Sequence, residues 1–170
     1  MIMPVSTDPK FVVLLGGALA VTPRLRADVA GARVIAADGG MRHAQSLSVT
    51  PELWVGDFDS TPPELVAAWP QVERQPYPAA KNETDGALAV AVAAERGART
   101  ILLAGALGGE RSDHALMHLL HAVCLEEQGF AIKLTSGEEE AWPLLPGSRD
   151  IDLPKGSLFS ILGLAPLSGL

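Results

Sequence analysis

A chain of 170 residues, 48% hydrophobic and with a net charge of -7, has room for one well-buried domain or for one domain and part of a second. Its negative balance argues against non-specific binding to nucleic acid, whose phosphates would repel it. No apolar run reaches the length of a membrane span, Met1 to Ser6 lacks the basic region and apolar core of a signal peptide, and the single Cys124 cannot form an internal disulfide, so a cytoplasmic protein is expected.

Residues 11–15 form a continuous apolar run closed by Gly16 and Gly17. This predicts a strand buried on both faces, with close approach to its end. Thr22 before Pro23 predicts an N-cap with proline in the first turn and a short helix over 24–30. Residues 34–37 repeat the strand and end in Asp38-Gly39-Gly40. Residues 53–55 repeat it again and leave through Gly56-Asp57-Phe58-Asp59-Ser60. Thr61-Pro62-Pro63-Glu64 then reads as a capping box opening a helix to about Trp69. Strand, Gly or Asp, then helix predicts an α/β fold with a mainly parallel sheet flanked by helices. In such sheets ligands bind at the carboxyl ends of the strands, where these residues gather.

If the strand direction persists, Asp57 and Asp59 project to one side. Two carboxylates so close repel, and a shared divalent cation would keep both ionised. Asp and Ser also serve turns through hydrogen bonds to their own backbone. The residues alone leave both readings open.

Residues 72–75 predict a short strand entering the extended Pro76-Tyr77-Pro78. Lys81-Asn82-Glu83-Thr84-Asp85 precedes an alanine-rich helix over 87–96, with Thr84 as its cap. Thr84 and Asp85 thus fall at a helix N-terminus, which favours anions; Asp85 can equally be a first-turn acid that steadies the helix. Residues 100–104 predict another buried strand, followed by a loop, 105–114, that holds flexible glycines, the phosphate-matching fork of Arg111 and the acid Asp113. Ser112 is expected to cap the next helix, with Leu116, Leu119, Leu120 and Val123 at core spacing and Cys124 on the same apolar side. Trp54 and Trp69 read as packing residues. His114, His118 and His121 share one side of that helix, which invites a zinc reading, yet no cysteine or carboxylate completes a recognisable ligand pattern. Residues 130–134 predict the last strand of the sheet. Beyond Gly137 helical stretches disappear, and 151–153 and 158–162 predict short antiparallel strands.

In this order, Asp38-Gly39-Gly40, Gly56-Asp57-Phe58-Asp59-Ser60, Lys81 through Asp85, and Gly108 through His114 resemble the thiamine pyrophosphokinase family, over nearly the whole chain. The resemblance implies an α/β ATP-binding catalytic domain over 1–137 and a partial antiparallel β-sandwich over 138–170, the thiamine-binding domain, truncated relative to the family. It implies a homodimer that transfers the pyrophosphoryl group of ATP to the hydroxyl of thiamine and releases AMP, with no nucleic-acid or membrane partner. By the same resemblance Asp57, Asp59 and Asp85 hold Mg²⁺ and, with Arg111, carry catalysis. Arg111, Gly108 and Gly109 hold phosphate, with Lys81 and Thr84 nearby, while Asp38, Gly39 and Asp113 line the nucleotide site. Three positions depart from the family pattern: Asn82 replaces a second aspartate, Glu110 separates Gly109 from Arg111, and His118 stands where asparagine is usual. A related pyrophosphokinase for another hydroxymethyl heterocycle is the alternative enzyme. A nucleotide-binding homologue without catalysis is the alternative from another class.

Overall fold

A computed structural model describes residues 9–59, 61–78, 83–166 and 168–169. Its strands are β1 (Lys10–Leu14), β2 (Arg33–Ala37), β3 (Leu53–Gly56), β4 (Glu73–Pro76), β5 (Thr100–Ala104), β6 (Ala131–Thr135) and β7 (Glu140–Ala141). They form one sheet in the order β4-β3-β2-β1-β5-β6-β7. All neighbours are parallel except β6 and β7, so the sheet is mainly parallel with an antiparallel C-terminal edge. The helices are α1 (Pro23–Val29), α2 (His43–Leu47), α3 (Pro63–Ala68), α4 (Asp85–Glu95) and α5 (Ser112–Glu127).

The continuous apolar strands follow from helices on both sides. Phe11, Val13 and Ile35 face Ala89, Val92 and Ala93 of α4, in a core that also holds Ala122 and Leu125 of α5. Val12, Leu14 and Trp54 face the other way, toward Leu25 and Val29 of α1 and Ala44 and Leu47 of α2. Leu65, Val66 and Trp69, in and just after α3, pack at the margin of that second core, and Trp54 is fully buried. Alternate residues of one strand therefore feed two separate cores, which is why β1, β2 and β5 are apolar after their first residue.

Several local expectations meet a different geometry. Thr22 caps α1 as expected, accepting from the Leu25 amide, and Thr84 caps α4 by accepting from the Ala87 amide. Thr61 does not cap α3: the helix begins after Pro62, and the Thr61 hydroxyl is buried without a hydrogen-bond partner among the described residues. Ser112 lies inside α5, whose N-cap position is Arg111 and has no side-chain cap. The proposed core face of α5 is also displaced. Leu116 and Leu120 are 53% and 44% exposed and Cys124 is exposed, whereas Ala122 and Leu125 are buried. Helix α5 packs on β6 through a narrow stripe, with Leu119 of the expected positions packed against the core, while Leu116 and Leu120 face outward. Residues 38–42 form a 3₁₀ turn running into α2, so the loop after Asp38-Gly39-Gly40 is helical.

The sheet also crosses the boundary expected near residue 137. A tight turn returns the chain, with the Ser136 amide donating to the Glu139 carbonyl (3.0 Å), and β7 pairs back onto β6. From 142 on, no strand forms among the described residues, including 151–153 and 158–162. Leu158 and Phe159 are 99% and 78% exposed, and a few short strands without a packed face are not stable by themselves. The earlier part of this tail is tied down: Arg149 bonds to Glu126 (2.7 Å) and to the Pro143 carbonyl (2.9 Å).

Candidate functional site

Strand order reverses between β1 and β5, since β1 passes to β2 on one side while β5 enters on the other. Carboxyl ends flanking such a reversal leave a crevice. Here the crevice is lined by glycine. A Cβ on Gly17 would collide with the Gly105 carbonyl and come within 3.0 Å of the Gly108 carbonyl, and one on Gly109 would reach 3.2 Å from the Ala18 amide. The Gly17 amide donates to the Gly105 carbonyl at 3.0 Å, locking the two loops together. Beside them lies an open cavity of about 390 Å³ lined by Ala18, Leu19, Leu107, Gly108, Ser136 and Glu139, among others.

The ends of β2 and β3 form the second wall. Asp38 takes a left-handed backbone (φ 42°), and the Trp54 indole donates to its carbonyl at 2.9 Å. Gly56 fits beneath it, because a Cβ there would stand 3.3 Å from the Asp38 Cα. Phe58 is also left-handed (φ 62°), and its ring meets Trp54 edge-on at 5.2 Å. The chain thus turns at Phe58 rather than running on extended, and the Asp59 amide donates to Asp57 Oδ1 at 3.1 Å. The turn reading of this stretch is the one its hydrogen bond carries: Asp57 accepts the Asp59 amide through one oxygen.

Asp85 opens α4 at the same end of the sheet, and Gly86 packs on Leu15 of the β1 end and on His118 of α5. Burial, reinforced by His114 and His121, pulls the His118 pKa down from 6.5 to about 4. Burial also lowers His121, against the pull of the Glu83 carboxylate. Arg111 reaches across to Asp113 in a bidentate pair of 2.9 and 2.7 Å. Hydrogen bonds from that guanidinium hold the exposed Asp113 carboxyl far below the usual carboxylate range. Glu110 is exposed, and Arg111 pairs with Asp113 beside it.

Asp38, Gly39, Asp57, Asp59, Thr84, Asp85, Gly108, Gly109, Arg111 and Asp113 therefore all lie at the carboxyl end of the sheet. Lys81, Asn82 and Ser60 lie outside the described residues. No group of three or more His, Cys, Asp or Glu close enough to hold a metal ion occurs among the described residues. Carboxylate oxygens are hard ligands of the kind Mg²⁺ takes, one or two at a time with phosphate and water completing its shell, and Asp57, Asp59 and Asp85 do not close into a group of three here.

Sequence reasoning passed over Arg42 and His43. Arg42 Nη2 donates to the carbonyls of Gly16 and Gly17, and a His43 Nε2 contact of 2.9 Å reaches the Gly17 carbonyl as well. Burial lowers the His43 pKa, which favours the neutral ring. A charged residue two places beyond the Asp-Gly-Gly turn was the available signal.

Glycine-lined loops, acids and arginines at a strand-order reversal define a doubly wound α/β protein with its ligand end at the strand termini. A family profile described as thiamin pyrophosphokinase, catalytic domain, matches residues 30–134. The chain belongs to the thiamin pyrophosphokinase family. Among solved structures it is similar to thiamine pyrophosphokinase from Bacillus subtilis, with a TM-score of 0.62 and 25% identity over 74% of this chain and 60% of that one. It is similar to thiamin pyrophosphokinase from Geobacillus thermodenitrificans at a TM-score of 0.55 and 30% identity, covering 74% of this chain and 58% of that one. Yeast thiamin pyrophosphokinase shares the fold, with a TM-score of 0.61 at 14% identity, covering 78% and 60%. The chain thus spans less than two thirds of the length of each. Comparison with curated proteins gives no match.

Proposed function

We propose that this protein is a thiamine pyrophosphokinase, moving the pyrophosphoryl group of ATP to the hydroxyl of thiamine. The observation that carries the reading is the family match over 30–134, a span that contains Asp38, Asp57, Asp59, Asp85, Arg111 and Asp113. The thiamine hydroxyl oxygen attacks the β-phosphorus in line. A new oxygen–phosphorus bond forms, the bond from that phosphorus to the α–β bridging oxygen breaks, AMP leaves with the bridging oxygen, and the hydroxyl proton is released. The protein's share in such a transfer is positioning and charge neutralisation.

In this reading Asp57, Asp59 and Asp85 hold Mg²⁺, which neutralises phosphate charge when bound. Arg111 and the amides of Gly108 and Gly109 bind phosphate, with Lys81 and Thr84 completing that side. Asp113 orients the Arg111 fork through its bidentate pair. Asp38 and Gly39 form the wall opposite, and the cavity beside Gly108 gives room for the nucleoside end. Residues 1–137 make the ATP-binding unit and 138–170 belong to the acceptor side, in a cytoplasmic homodimer. What supports the dimer is the apolar surface of the tail, where Leu158, Phe159 and Leu162 are at least 75% exposed.

The test is AMP release from Mg-ATP, with and without thiamine. Thiamine-dependent AMP formation is expected. AMP formation only with a different hydroxymethyl heterocycle would move the assignment to a sister enzyme, and ATP binding without AMP would leave a nucleotide-binding homologue.

A further inference from the structure

Arg42 stands at the ligand end, in the turn that follows β2. Its Nη2 donates to the carbonyls of Gly16 and Gly17, and a Cβ on Gly39 would lie 3.6 Å from its Nη1. Gly17 in turn touches the loop opposite, where a Cβ on Gly109 would come 3.4 Å from the Gly17 Cα. The guanidinium therefore sits against Gly39 and over the Gly16–Gly17 loop, which itself touches Gly109.

The two arginines at this end differ in how their charge is met. Arg111 gives Nε and Nη2 to the Asp113 carboxylate, which offsets its charge and leaves Nη1 to donate. Among the described residues Arg42 is bonded through a single nitrogen to backbone carbonyls, which fix its position, and no carboxylate bonds its guanidinium. Nη1 and Nε remain to donate. Its neighbour His43 adds no charge, since burial favours the neutral ring. In a chain of net charge -7, a cation held in place over glycines is suited to an anion that the other groups at this end also accept.

We propose that Arg42 is a phosphate-binding residue of this site, clamping the polyphosphate from the β1–β2 side opposite the Gly108–Gly109 loop. The proposal rests on the reading of this end as a polyphosphate site. It adds a cation contributed by a segment outside the four family motifs' lysine and arginine positions.

Calorimetry with tripolyphosphate and with Mg-ATP tests it, on the wild type, Arg42→Gln and Arg42→Lys. Arg42→Gln should weaken both ligands about tenfold or more, the scale of one lost charge-assisted pair. Arg42→Lys, which keeps the charge and one donor toward Gly16 or Gly17, should fall between. The salt dependence of binding should become shallower in Arg42→Gln, a change that a purely structural role would not produce. Equal affinity in the wild type and both variants would overturn the proposal, as would a wild type that binds no tripolyphosphate. If tripolyphosphate binding depends on Arg42 but thiamine-dependent AMP formation is absent, the phosphate site stands and the assigned reaction falls.

Discussion

At the scale of single residues, the Asp57–Asp59 turn separates structure from chemistry. Asp57 Oδ1 accepts the Asp59 amide, and an asparagine can accept the same bond through its own carbonyl oxygen. Asp57→Asn should therefore keep the fold and melting temperature while lowering turnover by about a hundredfold or more, the scale for losing a group that stabilises developing charge. Asp59→Asn should behave alike, and full activity in either would remove that carboxylate from the site. Arg111→Lys preserves charge but cannot make the bidentate pair with Asp113. KM for ATP should rise about tenfold with the fold unchanged, measured by steady-state kinetics. His118 offers a pH test. Its folded pKa, lowered from 6.5 to about 4 chiefly by burial, keeps the ring neutral while the unfolded chain accepts a proton at the ordinary value. The stability this contributes is complete above pH 6.5 and is lost as pH falls from 6.5 toward about 4. His43 and His121 are shifted in the same direction. The Asn variant at position 118 should thus show a smaller loss of melting temperature between pH 7 and 5 than the wild type, without abolishing it.

At the scale of elements, backbone contacts that side chains would block hold the ligand end together. Gly137 has φ 88°, and a Cβ there would collide with the Ala20 backbone, while the Ala20 amide donates to the Ser136 carbonyl at 2.8 Å. Gly137→Ala should cost about 3 kcal/mol or more, visible as a lower denaturation midpoint. Helix α5 offers the complementary case. Leu125→Ala should cost about 2–4 kcal/mol because that side chain is buried, whereas Leu120→Ala should stay within about 0.5 kcal/mol. Equal costs would show that the exposed stripe of α5 is covered in solution. A polar clamp fixes the far edge of the sheet: Lys133 bonds Asp28 of α1 and Glu140 of β7, and Arg24 bonds Glu140 at 2.8 Å. These pairs join α1 to the antiparallel strand, so the turn over 136–139 is held from both sides.

At the scale of the whole molecule, the ligand end is a property of topology. Glycines from β1 and β5 meet although about 90 residues of chain separate them, because the reversal in strand order brings those two ends together. The tail beyond β7 has the opposite character, with exposed apolar side chains and no strand among its described residues. An apolar patch of this kind favours self-association. Sedimentation should therefore show a concentration-dependent dimer, and Phe159→Ser with Leu162→Ser should shift it toward monomer. A wild type that stays monomeric at high concentration would rule out this role for the tail.

The sequence by itself determined the alternation of strands and helices, since uninterrupted apolar runs such as 11–15 and 100–104 need helices on both faces. Local hydrogen bonds made the caps at Thr22 and Thr84 legible, as they depend only on residues within one turn. Tertiary structure alone decided the rest. Which side of α5 is buried depends on how the helix seats on β6, so of the spacing-based set Leu116, Leu119, Leu120 and Val123 only Leu119 packs against the core, while Ala122 and Leu125 are buried and Leu116 and Leu120 are exposed. Whether 158–162 pairs as strand depends on a neighbour that no local pattern supplies. The contacts of Arg42 were hidden for the same reason: its partners, Gly16 and Gly17, lie in the loop after β1, and only the pairing of β1 beside β2 brings that loop to its guanidinium.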